Sequence, residues 1–329
     1  MKIISTASPT NSHASSQKKR KTKEFTITEK LPYRSFSAYA KDTFGMKVYK
    51  VPIHLKGSCP NRDGTAGVGG CIFCGEEGGS FEWIQGSVRE QFQKNKNRMR
   101  DRYKAQGFIP YFQNFTGTYL PLAEFKENLK AVAEEDIVGV SVSTRPDCVD
   151  DAYLSAAKEI FPGKSVTFEL GLQSANEKTL AAINRGHGTR EFIDASRQIK
   201  EKGLRLTVHM ILDLPWDSRD DVLRGAELLA RVDADEVKIH NLYVAKNTKL
   251  ADMYTAGTFV PLPMEEFMER VILFLEHLPP EMVIGRLLGR APEKDVLFAN
   301  WNRSWYYIRD EIVRRMIEQD RPQGHLYRK

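Results

Sequence analysis

Six short apolar runs, each followed by a longer amphipathic stretch, narrow the folds open to this chain more than any other feature. Lys47 to Leu55 (KVYKVPIHL), Phe108 to Phe112, Ile137 to Val142, Ser165 to Leu172, Leu204 to Leu212 and Glu236 to Leu242 read as strands. Residues 87–106, Leu122 to Glu134, Asp151 to Ile160, Asn176 to Ile183, Glu191 to Glu201 and Asp220 to Arg231 read as helices between and after them. Strands joined through helices pair in parallel, because each crossover returns the chain to the same end of the sheet. Right-handed crossovers wind such units into an open sheet or a barrel. Six units rather than eight predict an α/β fold built on a partial (β/α)6 TIM-type barrel, open on one side. Residues 264–278 add an amphipathic helix. The expected organisation is a disordered basic tail over 1–24, the barrel over 25–290 and a Trp-, Tyr- and Arg-rich C-terminal extension over 291–329.

Bulk properties set looser bounds. The chain has 329 residues, 41% of them hydrophobic, enough for a substantial core. Its formal charge of +6 fits an anionic partner such as RNA, although many ordinary enzymes carry as much. The tail concentrates Lys18, Lys19, Arg20, Lys21 and Lys23 without apolar periodicity, as a solvated or RNA-binding arm does. No apolar run reaches the roughly 20 residues that span a bilayer, and the N-terminus lacks the apolar core of a secretory signal. The expectation is a soluble, cytoplasmic protein with no membrane partner.

Four cysteines in so long a chain are not a disulfide framework. Cys59, Cys71 and Cys74 lie close together, the last two in a C-x-x-C, while Cys148 stands apart. Gly57, Gly64, Gly67, Gly69, Gly70, Gly75, Gly78 and Gly79 surround the three, and glycines let a backbone wrap closely round a bulky object. The loop follows the first strand, at the end of a barrel where active sites are built. Thiolates are the usual ligands of iron–sulfur clusters. Three thiolates for four irons leave one iron open to a small chelating molecule. Zinc is the alternative: a structural site needs four closed ligands, and Cys148 or His54 could supply the fourth.

The combination of CPNRDGTAGVGGCIFC (59–74), YFQNFTGTY (111–119), STRPDC (143–148), ELGLQSANEKTLAAINRGHG (169–188) and RLLGRAPEKDVL (286–297) resembles radical S-adenosylmethionine (SAM) proteins. The resemblance covers roughly residues 30–300. It points to the branch related to the Elongator catalytic subunit and oxygen-independent coproporphyrinogen oxidase, and within it to YhcC/YtqA-like proteins. It implies a [4Fe–4S] cluster on Cys59, Cys71 and Cys74 at the carboxyl-end mouth of the barrel. It also implies SAM on the open iron, reductive cleavage of SAM, and a 5′-deoxyadenosyl radical that takes a hydrogen atom from the substrate. A one-electron donor such as flavodoxin or ferredoxin is implied as a partner.

Cofactor contacts follow from the same resemblance. Phe73 matches the aromatic beside the adenine. Asn114, Thr116 and Gly117 occupy the second-strand end, where the family binds the methionine amino group. Ser143 stands where relatives often carry a ribose-binding carboxylate. Gln173 and Arg185 match ribose and carboxylate contacts, a guanidinium forking onto a carboxylate through two charge-assisted hydrogen bonds. His209 on the fifth strand is placed for a ribose-facing polar contact. Asp213-Leu214-Pro215-Trp216 replaces the more usual Gly-Leu-Pro-Gly.

Three functional readings stay open on the sequence. One is modification of the wobble-uridine side chain of tRNA, supported by the basic helix carrying Arg89, Lys94, Lys96, Arg98, Arg100, Arg102 and Lys104. The second is radical chemistry on a small molecule or tetrapyrrole. The third is a zinc-stabilised nucleic-acid-binding protein.

Overall fold

The computed structural model describes residues 31–75, 85–290 and 294–329. The basic tail, Gly78 and Gly79 lie outside them. The chain runs α1 (Phe36–Phe44), β1 (Val48–Ile53), α2 (Val88–Tyr103), β2 (Gly107–Phe112), α3 (Leu122–Lys130), β3 (Gly139–Thr144), α4 (Asp151–Ile160) and β4 (Ser165–Gln173). It continues through α5 (Glu177–Ala182), α6 (Thr189–Glu201), β5 (Arg205–Ile211), α7 (Arg219–Arg231), β6 (Glu236–His240), β7 (Val244–Ala245) and α8 (Lys249–Thr255). It ends with α9 (Met264–His277), β8 (Val283–Arg286), β9 (Val296–Phe298) and α10 (Trp305–Glu318).

Strands β1-β2-β3-β4-β5-β6-β8 form one sheet in that order, every neighbour parallel. The sheet curls into a half-barrel, as the six strand–helix units predict, and runs one strand further. The seventh strand is four residues long, and Gly285 within it admits Glu236: a Cβ there would stand 2.5 Å from Oε1 of that carboxylate. The open edge of β8 is covered by the segment ahead of α1, where the Ile284 amide donates to the Arg34 carbonyl oxygen at 2.8 Å. β7 and β9 pair separately and antiparallel.

Period-two alternation divides the strands into two chemistries. Val51, Ile53, Phe108, Phe112, Val140, Val142, Phe168, Leu170, Leu206, Val208, Val237 and Ile239 pack in the main core with the helices. The residues between them are polar: Lys50, Tyr111, Ser141, Ser143, Glu169, His209, Lys238 and His240. They bond to one another inside the curl: Lys50 reaches Glu169 and Glu236, each at 2.9 Å, and Lys238 reaches Glu169 at 2.6 Å. A barrel of this size fills its interior with side chains; here the filling is charged, and it forms one wall of a cavity.

Caps fix where the helices begin. Ser87 and Glu90 make a reciprocal capping box at α2, and Ser218 and Asp221 make another at α7. α2 stops at Tyr103, short of the expected 106, because Lys104 turns into the left-handed region at φ 56°. The basic face of α2 is narrower than the sequence pattern: Arg89, Lys94, Arg98, Arg100 and Arg102 are exposed, with Lys104 beyond the last turn. Lys96 is buried and binds Glu134 at 2.5 Å and Asp136 at 2.6 Å. Helical spacing places it on the same side as Phe92 and Met99, so its ammonium serves the fold rather than the surface. Among the described residues no helix is long and apolar enough to cross a membrane.

Candidate active site

The loop that leaves β1 is built round Asn61. The Pro60 carbonyl oxygen accepts from the amides of Ala66 at 2.8 Å and Gly67 at 3.2 Å, and the Gly70 amide donates to the Asn61 carbonyl oxygen at 2.8 Å. The Asn61 side chain donates to the Asn184 carbonyl oxygen at 2.6 Å, which ties the loop to the turn after α5. A Cβ at Gly67 would come within 2.2 Å of Asn61 Oδ1, and one at Gly186 within 2.4 Å. Only glycine permits that approach. Further on, the Ile72 amide donates to the Ile183 carbonyl oxygen at 3.1 Å and the Cys74 amide to the Cys71 carbonyl oxygen at 2.9 Å. Ile72 is thereby buried in a small apolar cluster, and Cys71, Phe73 and Cys74 are left facing a cavity.

That cavity, about 220 Å³, opens at the carboxyl ends of the strands and takes in Cys59, Cys71 and Cys74 together. Each sulfur is faced by a guanidinium. Arg62 Nη2 lies 3.2 Å from Cys74 Sγ, Arg185 Nη1 3.5 Å from Cys71 Sγ, and Arg145 Nη1 3.9 Å from Cys59 Sγ. Arg145 is fixed by a bidentate bond to Asp147 at 2.8 and 2.7 Å and by the Arg185 carbonyl oxygen at 2.9 Å. The donor chemistry fits an anionic iron–sulfur cluster: three thiols on one cavity wall, with cations placed to balance their charge.

It fits zinc poorly. Neither Cys148 nor His54 lines the cavity. The Cys148 sulfur lies 4.0 Å from Asp147 Oδ1; burial, with the Asp147 charge, pushes its thiol up to about 12. His54 is engaged with Asn114 at 3.2 Å.

Of the residues assigned to SAM by resemblance, Phe73, Thr116, Ser143, Gln173, Arg185 and His209 line this cavity with the three thiols. Asn114 and Gly117 do not. The Asn114 side chain brackets Leu55, accepting from its amide and donating to its carbonyl oxygen, both at 2.8 Å. Gly117 packs on β3: its amide donates to the Ser143 carbonyl oxygen at 2.9 Å, and a Cβ would stand 2.7 Å from that oxygen. Both shape the loop behind the cavity wall.

Gln173 ends β4 at φ 77°, where the register with β5 slips. A non-glycine residue held there is backbone strain of the kind that gathers at functional sites. Arg185 donates through Nη2 to the Gly171 carbonyl oxygen at 2.7 Å. Among the described residues, buried polar atoms around the cavity lack a partner, Arg185 Nε and Thr116 Oγ1 among them. Buried polar groups are rarely left so, and a bound polar ligand would satisfy them.

The cavity also takes in residues that sequence spacing did not single out: Tyr111, Glu169, His240, Tyr243 and Arg286. His209 bonds Glu169 at 2.7 Å and His240 at 3.0 Å. Burial lowers His209 to about 4 in spite of that carboxylate, so the imidazole is neutral near pH 7. The signal available in the sequence was polar residues at alternate positions in strands otherwise read as apolar, as in Glu236-Val237-Lys238-Ile239-His240.

Comparison with known proteins agrees with this geometry. Residues 62–229 match the Radical SAM superfamily, and residues 234–318 match the Radical_SAM C-terminal domain. The protein YtqA of Bacillus subtilis is 32% identical over 308 residues, covering 93% of this chain and 95% of that protein. The tRNA uridine(34) acetyltransferase of Methanocaldococcus infernus is 26% identical over 215 residues, 63% of this chain but only 40% of that protein. Among solved structures, archaeal Elp3 from Methanocaldococcus infernus superposes with a TM-score of 0.64 at 16% identity, over 84% of this chain and 64% of that one, a likeness of fold. A family match across half the chain, and a relative aligned nearly end to end, place the protein in the radical SAM superfamily, in its YhcC/YtqA-like branch.

Proposed function

We propose that this radical SAM enzyme modifies the side chain of a wobble uridine in tRNA, with Cys59, Cys71 and Cys74 as the ligands of its cluster. The family's cofactors are a [4Fe–4S] cluster and SAM. Bound together, they supply reductive cleavage of a carbon–sulfur bond and a radical able to take a hydrogen atom. An external one-electron donor of the flavodoxin or ferredoxin type completes that chemistry.

The chain's own residues bind, orient and shield. Arg185 and Gln173, held against Gly171, stand beside Cys71 and can grip a carboxylate and a hydroxyl next to the cluster. Phe73 offers an aromatic face to a nucleobase. Thr116 and Ser143 line the wall between them and β2, the latter donating to Tyr111 Oη at 3.0 Å. Enclosing the reaction within the curl keeps water away from reactive intermediates.

The observation that carries the reading is the cavity itself, lined together by three cation-faced thiols and by polar side chains of the curled sheet. For the substrate, support comes from the tRNA-acting relative and from the exposed cations of α2, which suit phosphate contacts. Nucleoside mass spectrometry of tRNA from cells with and without the gene tests it. A changed wobble-uridine derivative on deletion is the expected result. An unchanged profile, with a changed small-metabolite profile, moves the enzyme to a small-molecule substrate.

A further inference from the structure

One wall of the cavity carries a hydrogen-bonded chain that ends on a cation with no carboxylate partner among the described residues. Glu169 is fully buried; Lys50 and Lys238 bind it at 2.9 and 2.6 Å, and Ser141 Oγ donates to it at 2.5 Å. Those cations keep it a carboxylate, well below the usual range despite its burial. A carboxylate only accepts, so His209 Nε2, 2.7 Å away, carries the proton. In the neutral imidazole Nδ1 then accepts, and His240 Nε2, at 3.0 Å, donates to it. The Arg286 guanidinium sits against the edge of the His240 ring, with Nη2 2.9 Å from Nδ1 and 2.5 Å from Nε2.

Charge along this wall does not balance. Glu169 and Glu236 are matched by Lys50 and Lys238. Arg286 is a further cation, and among the described residues it forms no ion pair. Its one hydrogen-bond partner there is His240, through Nη2, so Nε and Nη1 are free. The side chain is exposed to solvent and lines the cavity. A guanidinium is a planar fork shaped to take an oxyanion with two parallel bonds. The cavity's other guanidinium groups, Arg62, Arg145 and Arg185, lie beside the three thiols instead.

We infer that Arg286, oriented by His240, is the site that receives an oxyanion of the substrate, a carboxylate or a phosphate, in the cavity it shares with the thiols. This rests on the reading that the cavity admits a substrate, and it leaves Arg185 to the carboxylate of SAM. It also makes the strand that sequence periodicity passed over, β8, a specificity element.

The test uses the full-length chain, reconstituted with its cluster under anaerobic conditions and saturated with SAM. Arginines are labelled with p-hydroxyphenylglyoxal, and each site is followed by peptide mass spectrometry. Arg286 is expected to label, and acetate or inorganic phosphate to slow that labelling at least tenfold relative to chloride at equal ionic strength. The probe that protects shows whether the group is a carboxylate or a phosphate. Labelling that neither probe slows, or an Arg286 that never labels, overturns the inference. Protection of Arg286 with an unchanged tRNA nucleoside profile leaves the oxyanion site standing and removes the tRNA reading. A changed profile without protection does the reverse.

Discussion

Lys50 on β1 and Glu169 on β4 meet at 2.9 Å across the inside of the curled sheet. They lie three strands apart in the sheet, so the bond forms only when the sheet is curved. The Glu169 side chain is fully buried and that of Lys50 is 15% exposed. Removing one partner of a buried pair strands the other's charge, at about 3–5 kcal/mol. Glu169→Gln is therefore expected to lower the urea midpoint of unfolding by a corresponding amount, whereas a surface control such as Glu124→Gln leaves it within about 0.5 kcal/mol.

Asp213 predicts a pH dependence of the opposite sign to most carboxylates. It is buried at the end of β5 and accepts from the Leu242 amide at 2.8 and 3.0 Å; burial outweighs those bonds and raises it to about 7. The folded state therefore binds a proton that the unfolded chain has released between about pH 4 and 7, and stability falls as pH rises through that window. Asp213→Asn, which cannot ionise, is expected to gain on the parent between pH 5 and 8, by a few kcal/mol in order of magnitude. Urea titrations at the two pH values measure it; an equal pH slope in both proteins would contradict the assignment.

Gly171 separates cofactor binding from fold. A Cβ there would stand 2.8 Å from both Arg185 Nη2 and Gln173 Nε2, the ends of side chains that can swing aside. Gly171→Ala is expected to keep its thermal stability and its iron content. It should lose about tenfold in SAM affinity by equilibrium dialysis, the equivalent of one charge-assisted hydrogen bond.

On α2 the buried and exposed cations should part company. Replacing Arg98 and Arg102 with Gln is expected to weaken tRNA binding and to flatten its dependence on salt by about one to two in the log–log slope. Lys96→Gln should leave that slope alone and destabilise the fold by about 1–2 kcal/mol, since it removes the bonds to Glu134 and Asp136. Filter binding across a salt series distinguishes them.

What the sequence could reveal follows from how local each signal is. The partial barrel rests on period-two and helical patterning within single segments, and Val140 and Val142 or Phe168 and Leu170 announce their strands unaided. The cysteine loop is also local, its three thiols and its glycines within one stretch. β8 was missed because Val283-Ile284-Gly285-Arg286 is too short to show a period. Arg145 sat within a quoted motif with no assigned part; what gives it one is contact with Cys59 and the Arg185 backbone, far away in sequence. Asn114 lies at the strand end that family likeness indicates, where backbone rather than side-chain contacts are expected, and its side-chain amide is engaged with Leu55. His240 and Arg286 acquire meaning only when β6 and β8 are set side by side.

The role assigned to Cys59, Cys71 and Cys74 is to hold a cluster able to cleave SAM. Its most direct test is anaerobic reconstitution of the full chain, followed by dithionite reduction in the presence of SAM and quantitation of 5′-deoxyadenosine. The account predicts about four irons and four sulfides per chain, formation of 5′-deoxyadenosine, and loss of that product in Cys59→Ala, Cys71→Ala and Cys74→Ala but not in Cys148→Ala. Undiminished 5′-deoxyadenosine from any of the first three variants, or a colourless protein carrying a single zinc ion, would contradict it.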